Sequence, residues 1–397
     1  MTLKSSGIGN PTGCRKVTSM SFGDNSRWLS KNAGSRKVLA LVTDAHGGFG
    51  GIAQYNRDVL DAMCRAETIS EIFVLPRLGN PRAEQIPDKI TYLLEGLGSL
   101  RNYVKGALRF ALRARSVDLI YCAHINLIPV AVAISKILGA PVVLAIYGVD
   151  AWKPVRRVPK WLLTKGVKAV FSISELTRDR FLSWCPVERE KTFIVPNAIR
   201  RERYSHRPRN SALMKRLNLE GKTTLMTLGR MSSLEQYKGF DEVIDVLPEL
   251  ADKIPNLAYL AVGSGPDRTR LEQKVATKGL NARVIFAGEI DESIKADFYQ
   301  LADAYVMPST GEGFGFVILE ALASGVPVVG SSQDGTREAL RDGELGILVD
   351  PADQESIKNG IVAALARPRG VPPGLEYFSF DRFCERLHSA LASAWNR

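Results

Sequence analysis

Residues 304 to 329 read AYVMPSTGEGFGFVILEALASGVPVV. Residues 304 to 307 are an apolar run of strand type. A loop containing Gly311, Gly313 and Gly315 follows, and residues 317 to 323 carry helix formers without a break. Gly325-Val326-Pro327 ends that helix, and residues 326 to 329 make a second apolar run. Strand, loop, helix and strand in this order is the unit of a parallel sheet. Strands that are apolar throughout belong to a sheet covered on both faces.

The same rhythm extends outward. Strand-like runs fall at residues 224 to 228, 257 to 262 and 283 to 287, with helix-like stretches at 242 to 253, 267 to 278 and 294 to 301. The first half repeats it, with a strand at 38 to 43, a glycine-rich turn and a helix from about 52 to 66. Further strands are expected at 71 to 75, 119 to 122, 142 to 147, 169 to 172 and 192 to 195. The fold class is therefore α/β with two parallel-sheet domains, which suits 397 residues. They meet near Pro196-Asn197-Ala198. The expected organisation is a tail at 1 to 35, domains at 36 to 197 and 198 to 376, and a closing segment at 377 to 397. Ligands of such sheets bind at the carboxyl ends of the strands, and two sheets facing each other would leave a cleft between them.

Composition excludes several classes. Hydrophobic residues make up 45% and charged residues 24%, a globular balance. The five cysteines (Cys14, Cys64, Cys122, Cys185, Cys384) show no paired spacing, so neither a disulfide framework nor a zinc knuckle is expected. Residues 1 to 35 lack the apolar core of a secretory signal. Residues 127 to 147 are the most apolar stretch. Lys136 and the Gly139-Ala140-Pro141 break divide them into helix, turn and strand rather than a membrane span. A cytoplasmic protein is expected. The net charge of +11 sits entirely in the first half: residues 1 to 197 hold 28 Lys and Arg against 15 Asp and Glu. That half is expected to meet something anionic. No nucleic-acid motif accompanies it.

Three constellations carry chemistry. In Glu312-Gly313-Phe314-Gly315-Phe316 a glycine loop opens a helix, where free N–H groups and the helix dipole seat phosphate. Glu312 and Glu320 would lie about 12 Å apart on a continuous helix. A hydrolytic pair needs roughly 5 to 9.5 Å, so separate roles are expected. Arg230, just past a strand, and Lys238, just before a helix, supply a planar fork and a point charge for phosphate. His46-Gly47-Gly48-Phe49-Gly50-Gly51 departs from dinucleotide-fingerprint spacing but lets backbone approach a ligand.

Taken in order, these pieces resemble the retaining glycosyltransferases of the GT-B fold, glycosyltransferase family 4, built from two facing Rossmann-like domains. The matching residues are Gly229-Arg230, Lys238-Gly239, Val262-Gly263-Ser264-Gly265-Pro266, Pro308-Ser309, Glu312-Gly313-Phe314-Gly315, Glu320-Ala321, Gly325-Val326-Pro327 and Gly335-Thr336-Arg337-Glu338. In the first half Gly50-Gly51-Ile52 and Ser172-Ile173-Ser174-Glu175 match more loosely. The resemblance implies that Arg230 and Lys238 hold the donor diphosphate and Glu320 the ribose. Glu312 and the backbone of residues 313 to 316 would position sugar and phosphate, with Gly50 and Gly51 opposite. It also implies retention of anomeric configuration, no required metal and no cofactor, and a final helix that crosses back to the first domain. One departure is Tyr147 in Tyr147-Gly148-Val149-Asp150, where many members carry His. A phenol is a poor acid or base at neutral pH. His124 and His46 are the alternative side chains for sugar or acceptor contact.

Arg101, Lys105, Arg109 and Arg113 recur every four residues beside Leu100, Val104, Leu108 and Leu112. This basic amphipathic helix, with the cations and tryptophans of residues 152 to 168, suits an anionic membrane surface. The expected function is hexose transfer from a UDP- or GDP-sugar to a lipid-linked saccharide in exopolysaccharide or lipopolysaccharide biosynthesis. The expected place is the cytoplasmic face of the inner membrane. The alternatives are a soluble acceptor, a sugar-nucleotide epimerase of the same fold, or a non-catalytic sugar-nucleotide or nucleic-acid binding module. Donor sugar, linkage and oligomeric state are not legible in the sequence.

Overall fold

The computed structural model describes residues 35 to 79, 86 to 114, 116 to 233 and 235 to 396. The expected tail at 1 to 35 lies, save residue 35, outside the described residues. Seven strands form the first sheet: β1 Arg36–Val42, β2 Ile69–Pro76, β3 Ile90–Tyr92, β4 Leu119–Cys122, β5 Val142–Ile146, β6 Ala169–Ser172 and β7 Thr192–Ile194. Six form the second: β8 Thr223–Leu228, β9 Leu257–Val262, β10 Val284–Gly288, β11 Ala304–Met307, β12 Val328–Ser331 and β13 Ile347–Val349. Their orders are β3-β2-β1-β4-β5-β6-β7 and β10-β9-β8-β11-β12-β13. Pairings run parallel, as between β8 and β9 over six residue pairs. Both sheets are thus Rossmann-like, as the GT-B reading requires.

The apolar strands behave as their composition dictates. All six residues of β9 and all four of β11 are buried. Tyr259, Leu225, Val306 and Val329 join Val243, Leu247 and Ile361 from the covering helices in one core. In the apolar stretch of the first half, the helix Ile128–Leu138 stops at Gly139, whose φ of 69° closes it before β5.

In each sheet the strand order reverses beside the first strand. The crevice at such a reversal is where open α/β sheets take ligands. In the second sheet it lies between β8 and β11, whose following loops carry Arg230, Lys238 and Glu312. In the first it lies between β1 and β4, whose following loops carry His46, Gly50 and His124.

By packing, the chain divides into two compact units, Met1–Leu144 with Lys165–Lys168, and Ala145–Thr164 with Ala169–Arg397. This differs from the boundary expected at residue 197. Residues 145 to 164 and 169 to 197 pack with the later chain. Ser174 Oγ donates to the Gly313 carbonyl at 2.8 Å, and Glu338 accepts from the Glu175 and Leu176 N–H groups at 2.7 and 2.8 Å. The closing helix is Phe380–Asn396, three residues shorter at its start than expected.

Candidate active site

The second unit holds a chain of four charges. Strand β8 delivers Arg230. The 3-10 turn Gln236–Lys238 then delivers Lys238, and Gly239 starts the helix Phe240–Lys253. Only glycine suits that junction: its φ is 86°, and a Cβ would lie 2.8 Å from the ring of Pro308. The ammonium of Lys238 pairs with Glu312 and lies 3.9 Å from Glu235, which in turn pairs with Arg230. Lys238 and Glu312 are only 17% and 15% exposed, whereas Arg230 is 70% exposed. Burial works against the charged form of Lys238. Glu312 and Glu235 more than offset it, so its pKa lies above the usual lysine value. Two cations and two carboxylates leave the cluster neutral.

The loop before the helix Phe316–Ala323 is fixed by Asp334, a residue the sequence reading passed over. Its Oδ2 accepts from Ser309 Oγ at 2.7 Å and from the Glu312 N–H at 2.9 Å. Its Oδ1 accepts from the hydroxyl and N–H of Thr336 at 2.7 and 3.0 Å. Burial raises the Asp334 pKa despite these donors. The Gly313 backbone passes so close to Tyr147 that a Cβ would fall 2.1 Å from the Tyr147 carbonyl oxygen. Phe314 is buried. Gly315, with φ 94°, heads the helix, and no side chain caps it, so its first N–H groups have no side-chain partner. An uncapped helix start can seat an anion.

Glu320 is paired within the fold. Its carboxylate is fully buried, accepting from Tyr204 Oη at 3.0 Å, Lys295 Nζ at 2.9 Å and Tyr299 Oη at 2.7 Å. Both oxygens already accept from the chain's own donors, so a ribose hydroxyl would have to share or displace one of them. The physical reason is the desolvation of a carboxylate among apolar neighbours, which demands full pairing. No motif spacing links Tyr204, Lys295 and Tyr299, and the sequence reading missed all three.

Tyr147 is buried, and Asp150 braces its turn. The Tyr147 N–H donates to Asp150 Oδ1 at 3.2 Å, while Oδ2 is buried without a hydrogen-bond partner. Burial pushes the Asp150 carboxyl up to about 7, against the pull of the Tyr147 and Gly148 N–H groups. The folded chain therefore keeps this proton to near neutrality, whereas the unfolded chain releases it near pH 4. Folded protein binds more protons between these values, so stability falls as pH rises from about 4 to 7. Asp150→Asn removes the loss. Its stability advantage over wild type in urea unfolding should grow between pH 4 and 8, reaching about 4 kcal/mol. Parallel pH profiles for the two proteins would refute this.

In the first unit, Gly50, with φ 87°, heads the helix Gly51–Arg65, also without a side-chain cap. His46 is only 4% exposed: its Nδ1 lies 2.8 Å from Tyr92 Oη and its Nε2 3.4 Å from Asp61. It braces the turn against Tyr92 and Asp61. His124 is half-buried, and its Nδ1 accepts from the Asn126 N–H at 3.1 Å. Burial, then Arg77, lowers its pKa, so it stands neutral and offers Nε2–H as a donor. Among the described residues no group of three or more His, Cys, Asp or Glu could hold a metal ion. No helix among them is long and apolar enough to cross a membrane.

The family model described as Glycosyl transferases group 1 matches residues 212 to 371, and that described as Glycosyltransferase Family 4 matches residues 49 to 203. The phosphatidyl-myo-inositol mannosyltransferase of Mycobacterium tuberculosis (strain CDC 1551 / Oshkosh) is 40% identical over 151 residues, 37% of this chain and 38% of that protein. The GDP-mannose-dependent alpha-(1-6)-phosphatidylinositol monomannoside mannosyltransferase of Mycolicibacterium smegmatis is 31% identical over 224 residues, 54% of this chain and 58% of that protein. Both alignments span less than two thirds of the relative's own length. The crystal structure of Anabaena HepE in complex with UDP has a TM-score of 0.72 at 22% identity, covering 90% of this chain and all of that one. That likeness is one of fold.

Proposed function

Because the chain belongs to glycosyltransferase family 4, we propose that it transfers a hexose from a UDP- or GDP-sugar to a lipid-linked saccharide acceptor, with retention of configuration. The observation that carries this reading is the Lys238–Glu312 pair at the reversal of the second sheet, beside the uncapped start of the helix Phe316–Ala323. An entering diphosphate would take Lys238 and Arg230 from their carboxylate partners and rest on that helix start. Glu312, released from Lys238, would then accept hydrogen bonds from the sugar hydroxyls. As the glycosidic bond breaks, charge grows on the diphosphate, and the two cations stabilise the leaving group without help from a divalent ion. UDP in the Anabaena neighbour and GDP-mannose in the name of the Mycolicibacterium relative support the donor class. Labelled UDP- and GDP-sugars offered with a membrane-lipid extract test it: label entering the lipid fraction is expected. Binding without turnover would favour a non-catalytic module.

The acceptor side rests on the helix Leu100–Arg113. Leu100, Leu108 and Leu112 are exposed beside the cations Arg101, Lys105 and Arg109. Apolar side chains among lysines and arginines suit an anionic bilayer surface, where each cation contributes about 1 kcal/mol. The lipids named in both mannosyltransferases agree with such a surface. The protein is expected to sediment with vesicles containing phosphatidylglycerol at low salt, and the triple change R101E/K105E/R109E should abolish this. Equal sedimentation of the triple variant would reject the docking face.

A further inference from the structure

The last segments of the chain line an open pocket that the donor cluster does not use. It lies among the turn Arg341–Gly343, the 3-10 helix Pro373–Phe378 and the helix Phe380–Asn396, with a volume of about 480 Å³. That volume is in the range of small-molecule sites. Its chemistry comes from Arg341, Arg382 and Arg386, gathered around Tyr377 with Glu376 and Glu385.

Arg382 and Arg386 are four residues apart on one helix and so share a face. Arg341 comes from elsewhere in the chain, on a turn where it and Asp342 have φ of 48° and 55°. Two successive non-glycine residues held in the left-handed region mark a backbone constrained against its own preference. The guanidinium carbons of Arg386 and Arg341 lie 3.9 and 4.7 Å from the centre of the Tyr377 ring. Stacking of this kind uses the guanidinium plane and leaves its N–H edge for a second partner.

The pairing of these groups is uneven. Arg382 donates to Glu385 at 2.8 Å, and Arg341 pairs with Glu344 at 3.1 Å. Arg386 hydrogen-bonds Tyr377 and is attracted by Glu385 without forming an ion pair within 4 Å, and its Nη1 is buried with no hydrogen-bond acceptor. A buried, charged N–H without an acceptor is costly to leave unmade. Glu376 and Glu385 are more than half exposed, leaving carboxylate oxygens for hydroxyl donors.

We infer that this pocket binds a phosphate monoester carried on a small polyhydroxy compound. The phosphate sits on Arg386, with Arg341 and Arg382 beside it, and the hydroxyls donate to Glu376 and Glu385. The site goes beyond the transfer reaction, since none of its residues belongs to the cluster around Lys238.

Isothermal titration of the full chain tests it with three probes: D-glucose 6-phosphate, inorganic phosphate and D-glucose. Glucose 6-phosphate is expected to bind, phosphate to bind more weakly and glucose not at all. Arg386→Gln should weaken glucose 6-phosphate binding about tenfold or more. Saturating UDP should leave that affinity unchanged, and the variant's own UDP binding reports an intact fold and donor site. Should R386Q not fold, R382Q is read by the same criterion. Undiminished binding in the folded variant, or displacement of glucose 6-phosphate by UDP, overturns the site. Failure of UDP itself to bind would instead speak against the donor assignment. Equal affinity for phosphate and glucose 6-phosphate overturns the polyhydroxy half of the inference.

Discussion

Lys238→Ala is expected to slow sugar transfer by about 10²- to 10³-fold, the loss seen when one preorganised charge partner of a leaving group is removed. The prediction rests on where the ammonium stands. It is held on a 3-10 turn by Gly239, kept charged by Glu312 and Glu235, and placed beside an uncapped helix start. Removing it takes away the charge that would meet the departing diphosphate. The same change leaves Glu312 without its ion-pair partner. Lys238→Arg should recover part of the rate, because a cation returns with altered geometry. Steady-state kinetics separate the effects: a large fall in kcat with a modest rise in donor KM fits a group acting mainly as the bond breaks. A K238A rate within threefold of wild type would remove Lys238 from the chemistry.

Glu320→Ala is expected to destabilise the second unit by about 3 to 5 kcal/mol, the cost of removing one partner of a buried ion pair. Lys295, 11% exposed, would be left charged without its buried counterion, and the Tyr204 and Tyr299 hydroxyls would lose their acceptor. Tyr204→Phe keeps the ion pair and should cost only about 1 kcal/mol. Urea unfolding of both variants tests the ordering. An E320A protein as stable as wild type but weak in UDP binding would restore the ribose role that the sequence suggested.

The fold was legible because buried parallel strands leave continuous apolar runs that a single chain shows plainly. The 26 residues from 304 to 329 declare strand, loop, helix and strand, and the structure places β11, the helix Phe316–Ala323 and β12 there. Arg230, Lys238 and Glu312 were legible for a related reason: they fall on loops after strands, and the sheet order brings those loops to one reversal. The burial and pairing of Glu320 were not legible, because residue type and helix position do not report burial. Its partners Tyr204, Lys295 and Tyr299 come from separate segments, and only the packed fold joins them. Asp334 and Asp150 escaped for the opposite reason. Each sits within or next to a quoted motif, but its work is to accept backbone N–H groups, which any turn aspartate can do. His46 shows the same limit, since its burial against Tyr92 and Asp61 depends on a strand some forty residues away.

The neutral chain of Arg230, Glu235, Lys238 and Glu312 bears on selectivity among anions. A cationic cradle left bare would collect any phosphate present in the surrounding solution. Here the carboxylates would act as tethered competitors, so a lone phosphate would have to displace Glu312 and leave that carboxylate without a partner. A nucleotide sugar brings hydroxyl donors that give the displaced carboxylate a new partner. Under the proposed donor role, the exchange would favour ligands that carry phosphate and sugar together, and the return of Glu312 to Lys238 would help expel the spent nucleotide.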